Sequence, residues 1–411
     1  MSVALRQIQG EIREIHGNGS KPNFIMLSEV LPALDALLEK ARGTVKLVYL
    51  DPPTFGDDAG QIRLRAGEQD WAKGRNSFEL RLNEPPLERE AYLQLMRSVL
   101  LRCRDLLRED GMIWLHTDYH INAYLRILLD EVFGEQNFLN EIVWVYTAGG
   151  RSTRHFGRKH DTLFFYRKSK AYDFNIDAVK VVPEIPPSNH MRRHVDADGR
   201  VYRSITGGGK TYTYYDDEPL APDDVWNDCN YTQQKDYESQ KPLKLLQRII
   251  GSCTKEGELV LDPFAGSGTA LDAAWRMKRN IIGIDRCAAT LNMSRRRLTN
   301  AEYEIQFGTS DAPSEEKLES ERFVGFEQIR LDDFRLLANA DGDRLSGMDA
   351  IDNWSVGYLS GDAYQICSET FRSRKNPALI RELHLPILKG MPVVCLNDVT
   401  GRSFMYEIML T

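Results

Sequence analysis

Apolar residues along this chain follow two patterns, one helical and one extended. Residues 26–42 (MLSEVLPALDALLEKAR) place them at helical spacing, with Gly43 at the natural stop, and residues 88–108 and 121–133 repeat the pattern. Between these segments lie continuous apolar runs of strand length: VKLVYL at 45–50, MIWLHTD at 112–118 and DTLFFYR at 161–167, with a further strand over 141–147. After a Gly-, Pro-, Asn- and Asp-rich stretch over 170–235, the order resumes. A helix is predicted over 242–253, a strand over 259–264 (LVLDPF), a helix over 269–278 and a strand over 280–285 (NIIGID). Strands apolar on both faces and separated by helices predict an α/β protein built on a doubly wound, mostly parallel sheet.

Composition changes that picture little. The chain has 411 residues with 42% hydrophobic and 27% charged, an ordinary globular balance. Six cysteines are scattered with no CxxC pair, which argues against a disulfide framework or a zinc site and fits a reducing cytoplasm. No run approaches the eighteen or so apolar residues of a membrane span, and the opening MSVALRQIQGEI has no signal-peptide pattern. The expectation is a cytoplasmic protein that does not engage a membrane.

The net charge of −7 hides a strong local imbalance. From Arg151 to Tyr215 there are thirteen Lys or Arg against six Asp or Glu, and from Gly308 to Trp354 twelve acidic residues against five basic ones. The basic stretch interleaves cations with tyrosines, as in RVYR and KTYTYY. Cations neutralise phosphates and aromatic faces stack on bases, so Arg192, Arg193, Arg203 and Lys210 are candidate nucleic-acid contacts, although a solvated face would carry the same charges. The acidic SEEKLESE run predicts a linker or an exposed helix opening a separate C-terminal unit.

Two strand ends carry candidate chemistry. One is Asp262-Pro263-Phe264-Ala265-Gly266-Ser267-Gly268-Thr269, between a buried strand and a helix. Its glycines allow a tight turn and close approach of a ligand to the backbone. The next strand ends in Asp285, an acid placed to accept both hydroxyls of a ribose. A nicotinamide dinucleotide would want a third glycine where Leu271 stands. The other strand end is Asp51-Pro52-Pro53, which alone would be only a strand terminator. Two further signals carry little. SITGGGKT at 204–211 lacks the first glycine of a phosphate-binding loop and no helical pattern follows it. His116 and His120 straddle a strand end with no third ligand, so no metal site is expected.

Taken together, DPP and DPFAGSGT resemble the signature of β-class DNA amino-methyltransferases, which act on adenine N6 or cytosine N4, and in particular the modification subunits of Type III restriction systems. The order of the motifs, with a recognition region between them, is that of the class. The resemblance covers roughly 20–300 and includes LLDEVFGEQNFLNEIVW at 128–144, RKHDTLFFYRKS at 158–169, YESQKPLKLLQRII at 237–250 and GIDRCAATLNMSRRRL at 283–298. It implies a Rossmann-like fold that binds S-adenosylmethionine through Asp262, Pro263, Phe264, Gly266, Gly268, Thr269 and Asp285, with Lys241 and Pro242 contributing. It implies transfer of a methyl group to a base in double-stranded DNA, with Asp51 and the Pro52 carbonyl accepting from the amino group and Pro53 completing the motif. Adenine N6 is the expected acceptor, with cytosine N4, an RNA acceptor, or a weakly catalytic binding subunit as alternatives.

The corresponding organisation is a catalytic half over 1–169, a β-rich target-recognition insert over 170–235, a cofactor half over 236–305 and a C-terminal accessory unit over 306–411. A homodimer is expected, and a restriction subunit is a candidate partner. One departure falls on the catalytic motif. Where the class has an aromatic ring for stacking on the extruded base, this chain has Thr54, with Phe55 one position later.

Overall fold

The computed structural model describes all residues except 1–3, 18–22, 57–60, 82–86, 147–152, 183–190, 231–239, 310–313, 324–325, 337–346 and 410–411. The N-terminal region carries β1 (Ala4–Ile8), β2 (Glu11–His16), β3 (Phe24–Leu27), α1 (Val30–Ala41) and β4 (Val45–Leu50). A small hairpin, β5 (Gln61–Leu64) and β6 (Phe78–Arg81), encloses α2 (Gly67–Lys73). Next come α3 (Arg89–Leu106), β7 (Leu107–Thr117), α4 (Asn122–Phe133), β8 (Phe138–Val145) and β9 (His160–Arg167). The insert holds β10 (Arg192–Val195), β11 (Val201–Gly207), β12 (Lys210–Tyr215) and β13 (Val225–Trp226). The chain continues through α5 (Leu243–Cys253), β14 (Leu259–Asp262), α6 (Thr269–Arg276), β15 (Asn280–Asp285), α7 (Ala288–Arg297) and β16 (Tyr303–Gly308). The C-terminal strands are β17 (Ser314–Phe323), β18 (Phe326–Leu336), β19 (Ile351–Ser360), β20 (Ala363–Phe371), β21 (Glu382–Pro386), β22 (Met391–Asp398) and β23 (Ser403–Met409).

One sheet organises the molecule. Its central order is β3-β15-β14-β4-β7-β9-β8. The first five of these strands run parallel, and β9 is antiparallel to both its neighbours. Residue alternation explains why the strands are apolar throughout. In β4, Leu47 and Tyr49 face one core, which contains Leu245, Ile249, Leu271 and Leu291 of α5, α6 and α7. Val48 and Leu50 face the other, which contains Leu34, Met96, Val99 and Leu125 of α1, α3 and α4. The doubly wound expectation is met.

Beyond β3 the sheet continues through β16, β2, β20, β19, β22, β23 and β1, so the first described strand pairs with the last. The C-terminal strands β19, β20, β22 and β23 are thus joined edge to edge to the central sheet, with β2 lying between β16 and β20. The SEEKLESE segment corrects the expectation of a linker or helix. It is strand β17, paired along its length with β18, which pairs in turn with β21. A ladder partner on the neighbouring strand overrode the helical preference of the acidic residues.

Candidate active site

The two motif-bearing strand ends meet. β14 pairs in parallel with β4 on one side (Leu261 opposite Val48) and with β15 on the other (Asp262 opposite Gly283). Asp51, Asp262 and Asp285 therefore stand at the carboxyl ends of three adjacent parallel strands. The chain leaves β14 toward β15 on one side, while β4 and β7 lie on the other, so the crevice sits at a topological switch point.

The loop after β14 is drawn tightly together. Asp262 accepts from the Phe264 amide (3.1 Å), and the Ala265 amide donates to the Ile284 carbonyl of β15 (2.9 Å). Pro263 is buried, Phe264 half-buried in the α1–α3 core, and Ser267 and Thr269 share a hydroxyl hydrogen bond of 3.0 Å at the start of α6. Gly268 is left-handed (φ 73°), and a Cβ there would lie 2.6 Å from the Ser294 hydroxyl of α7. Only glycine fits. Asp285 accepts from the Gly266 amide (2.7 Å) and the Cys287 amide (2.8 Å), which ties the loop to the acidic strand end. Burial pushes the Asp262 carboxyl well above the usual carboxylate range, and the nearby Asp51 and Asp285 push it the same way. Burial raises Asp285 as well. A glycine loop closed by a carboxylate fits an adenosyl ligand: the backbone turn suits its amino-acid end and Asp285 its ribose hydroxyls.

Asp51 ends fully buried β4, and its carboxylate is held by Lys241, whose Nζ donates to both oxygens at 2.8 and 2.7 Å. Lys241, expected beside the cofactor, has its ammonium on the Asp51 carboxylate instead; buried Pro242 caps α5 behind it. Gln240 accepts from Arg297 of α7 (2.6 Å), while 237–239 of the same motif lie outside the described residues. Pro52 is buried, and Pro53 and Thr54 are exposed. Phe55 is half-buried with its ring 5.5 Å from that of Tyr92, and the Tyr92 hydroxyl donates to the Pro53 carbonyl (3.2 Å). The Phe55 ring is thus engaged in packing the loop onto α3.

Sequence reasoning singled out His116 but missed Tyr92 and the polar partners that His116 has behind the site. His116 accepts or donates at both ring nitrogens, to the Tyr49 hydroxyl (3.1 Å) and the Asp161 carboxylate (3.1 Å), and Tyr146 donates to the other Asp161 oxygen (3.1 Å). Burial opposes ionisation of Asp161, but His116, Lys241 and Tyr146 outweigh it and hold the carboxyl below the usual range. The only sequence signal was that Asp161 falls in the RKHD stretch that resembles the family.

The recognition candidates lie on a separate sheet, β10-β11-β12. Its register sorts them: Arg193 is opposite Arg203, Arg203 opposite Tyr214, Ile205 opposite Tyr212 and Gly207 opposite Lys210. Strand alternation then places Arg193, Arg203 and Lys210 on one face with Tyr212 and Tyr214, and Arg192 on the other. Arg203 is mostly covered and lies 3.4 Å from Asp216, which Arg193 also approaches at 3.6 Å. SITGGGKT forms the β11–β12 hairpin tip, where Gly208 and Gly209 take positive φ.

The sequence profile of the DNA methylase family that modifies N6 or N4 matches residues 45–296. This chain belongs to that family. Its members use S-adenosylmethionine. The chain is 28% identical over 319 residues to the Type II methyltransferase M.EcaI of Enterobacter cloacae, covering 64% of this chain and 66% of that enzyme. It is 28% identical over 242 residues to the Type II methyltransferase M.HpaI of Haemophilus parainfluenzae, covering 54% of this chain and 68% of the relative. The chain therefore spans about two thirds of the length of these curated relatives. A solved cytosine-N4-specific PvuII DNA methyltransferase aligns with TM-score 0.45 and 15% identity over 71% of this chain and 90% of the other.

Proposed function

We propose that this chain methylates an exocyclic amino group of a base in double-stranded DNA, with adenine N6 as the acceptor. The observation that carries the proposal is the Asp51 carboxylate at the mouth of β4, one strand away from the Asp262–Gly268 loop that Asp285 closes. Gly266, Gly268 and Asp285 would hold S-adenosylmethionine, flanked by Asp262, Pro263, Phe264 and Thr269; it supplies an electrophilic methyl group on a sulfonium.

The chain's own residues prepare the acceptor. An exocyclic amino nitrogen is a poor nucleophile because its lone pair is delocalised into the ring. Asp51 and the Pro52 carbonyl accept its two hydrogens and turn the lone pair out of the ring plane, and the Asp51 carboxylate stabilises the positive charge that develops on the nitrogen. Lys241 holds both Asp51 oxygens, and their remaining lone pairs are left to accept from the amino group. Exposed Thr54 offers no ring for stacking, a contact that contributes on the order of 1–3 kcal/mol.

Single-turnover transfer from labelled S-adenosylmethionine to mixed genomic DNA tests this. The parent chain transfers methyl groups, and sequencing the modified bases reports adenine or cytosine. Asp51→Ala loses several orders of magnitude in rate while calorimetry shows cofactor affinity within a few-fold. Transfer by Asp51→Ala at the parent rate would falsify the catalytic assignment.

A further inference from the structure

Phe156 is the residue most at odds with its surroundings. At 97% it is the most exposed of the large apolar residues described, and a ring left in water gains nothing from the hydrophobic effect. Cations surround it in sequence: Arg154, Arg158 and Lys159 lie within three residues, with His155 beside it.

The foot of this segment is firmly held. Arg158 donates to the Tyr119 hydroxyl (2.6 Å), with its guanidinium 4.1 Å from the centre of the Tyr119 ring. The Tyr146 amide donates to the Lys159 carbonyl (3.0 Å). The ring thus projects from a fixed base.

Its place in the fold ties it to the candidate active site. β9 is antiparallel to β7, and β8 to β9, so the described residues that lead into β9, Phe156 among them, lie at the carboxyl edge of the sheet, the edge that carries Asp51. Tyr146 and Asp161, on the two stems of that connection, are hydrogen-bonded to each other, and Lys241, which holds Asp51, also acts electrostatically on Asp161.

A stacked base cannot bring its amino group to a carboxylate at the end of a buried strand, so it must leave the helix. Its departure costs stacking, which an apolar side chain inserted at the vacated step partly restores. We propose that Phe156 is that wedge. It enters the base stack of duplex DNA where the target base leaves, and the cations beside it take the adjacent phosphates. The proposal rests on the reading of the chain as a DNA amino-methyltransferase.

The test uses the full chain with Phe156→Ala and Phe156→Trp. The substrates are a duplex carrying 2-aminopurine beside the target base, identified by sequencing methylated DNA, and the same duplex with the target mispaired. The parent and Phe156→Trp brighten the probe and methylate both duplexes. Phe156→Ala binds the paired duplex within a few-fold but fails to brighten it. Its single-turnover rate falls at least about tenfold there and largely recovers on the mispaired duplex, where extrusion is cheap.

Parent behaviour by Phe156→Ala on the paired duplex, or an equal loss on both duplexes, overturns the wedge. So does a parent oligomer that dissociates in light scattering on Phe156→Ala while both duplexes are handled normally, since Phe156 is then a protein contact. A parent chain that methylates no DNA overturns the underlying reading, and the wedge with it.

Discussion

The carboxylate of Asp51 has three influences acting on it, and each belongs to a different part of the chain. Lys241 neutralises it, the buried Pro52 fixes the turn that follows, and Tyr92 pins the next carbonyl from α3. Because the Phe55 ring packs against Tyr92, the two side chains position the Asp-Pro-Pro loop together. Loss of the Tyr92 hydroxyl removes one hydrogen bond worth about 1 kcal/mol. Tyr92→Phe is expected to slow single-turnover transfer about fivefold with unchanged cofactor affinity. Phe55→Ala should slow it further, and Thr54→Tyr, at an exposed position, should be no slower than the parent. If Phe55→Ala transfers at the parent rate, the loop does not depend on that packing.

Among elements, the three-stranded β10-β11-β12 sheet separates residues that look equivalent in sequence. Arg193, Arg203 and Lys210 share a face with Tyr212 and Tyr214, residues that are 50% and 44% exposed, while Arg192 faces the other way. A face of cations and aromatics suits backbone neutralisation with base contacts, and a phosphate contact shows in the salt dependence of binding. The triple alanine variant at 193, 203 and 210 should therefore flatten that dependence by about one unit per lost contact, and Arg192→Ala should leave it unchanged. Equal effects from both would mean that the face is not the reader.

At the scale of the whole molecule, the joint between the central sheet and the C-terminal strands contains a buried ionic cluster. Arg295 of α7 donates to both oxygens of Glu14 in β2 (2.9 and 2.8 Å), and His16 joins Glu14 (2.6 Å) with Glu369 beyond it at 3.8 Å. The His16 ring stacks on Tyr303 at 4.3 Å. Burial opposes both charges, but Arg295 and His16 hold Glu14 down at about 2, and Glu14 and Glu369 hold His16 up at about 9.

The stabilisation from Glu14 is therefore present above its ordinary 4.5 and lost as pH falls toward about 2. That from His16 is present below 6.5 and lost as pH rises through about 9. Thermal melting followed by circular dichroism should show the parent losing stability between those upper two values, and His16→Gln losing less. Arg295→Met, which strands a buried carboxylate, should cost about 3–5 kcal/mol. A parent and a His16→Gln variant with the same alkaline profile would remove His16 from the account.

The sequence alone determined the strands that bear the candidate site, β4, β7, β14 and β15, and the two chemical strand ends. Burial on both faces writes a continuous apolar run into β4, β7, β14 and β15, and a ligand-approaching turn writes Gly266 and Gly268 into the loop between β14 and α6. These are local requirements, met within a few residues. What only the tertiary structure decided is pairing at a distance. Lys241 meets Asp51 across 190 positions, and Tyr92 reaches Pro53 from another element. An acidic run with helical composition becomes β17 because β18 offers a ladder. Strand order sets which ends and edges become neighbours. It emerges from the packing of the whole chain, so no local period could have announced these contacts.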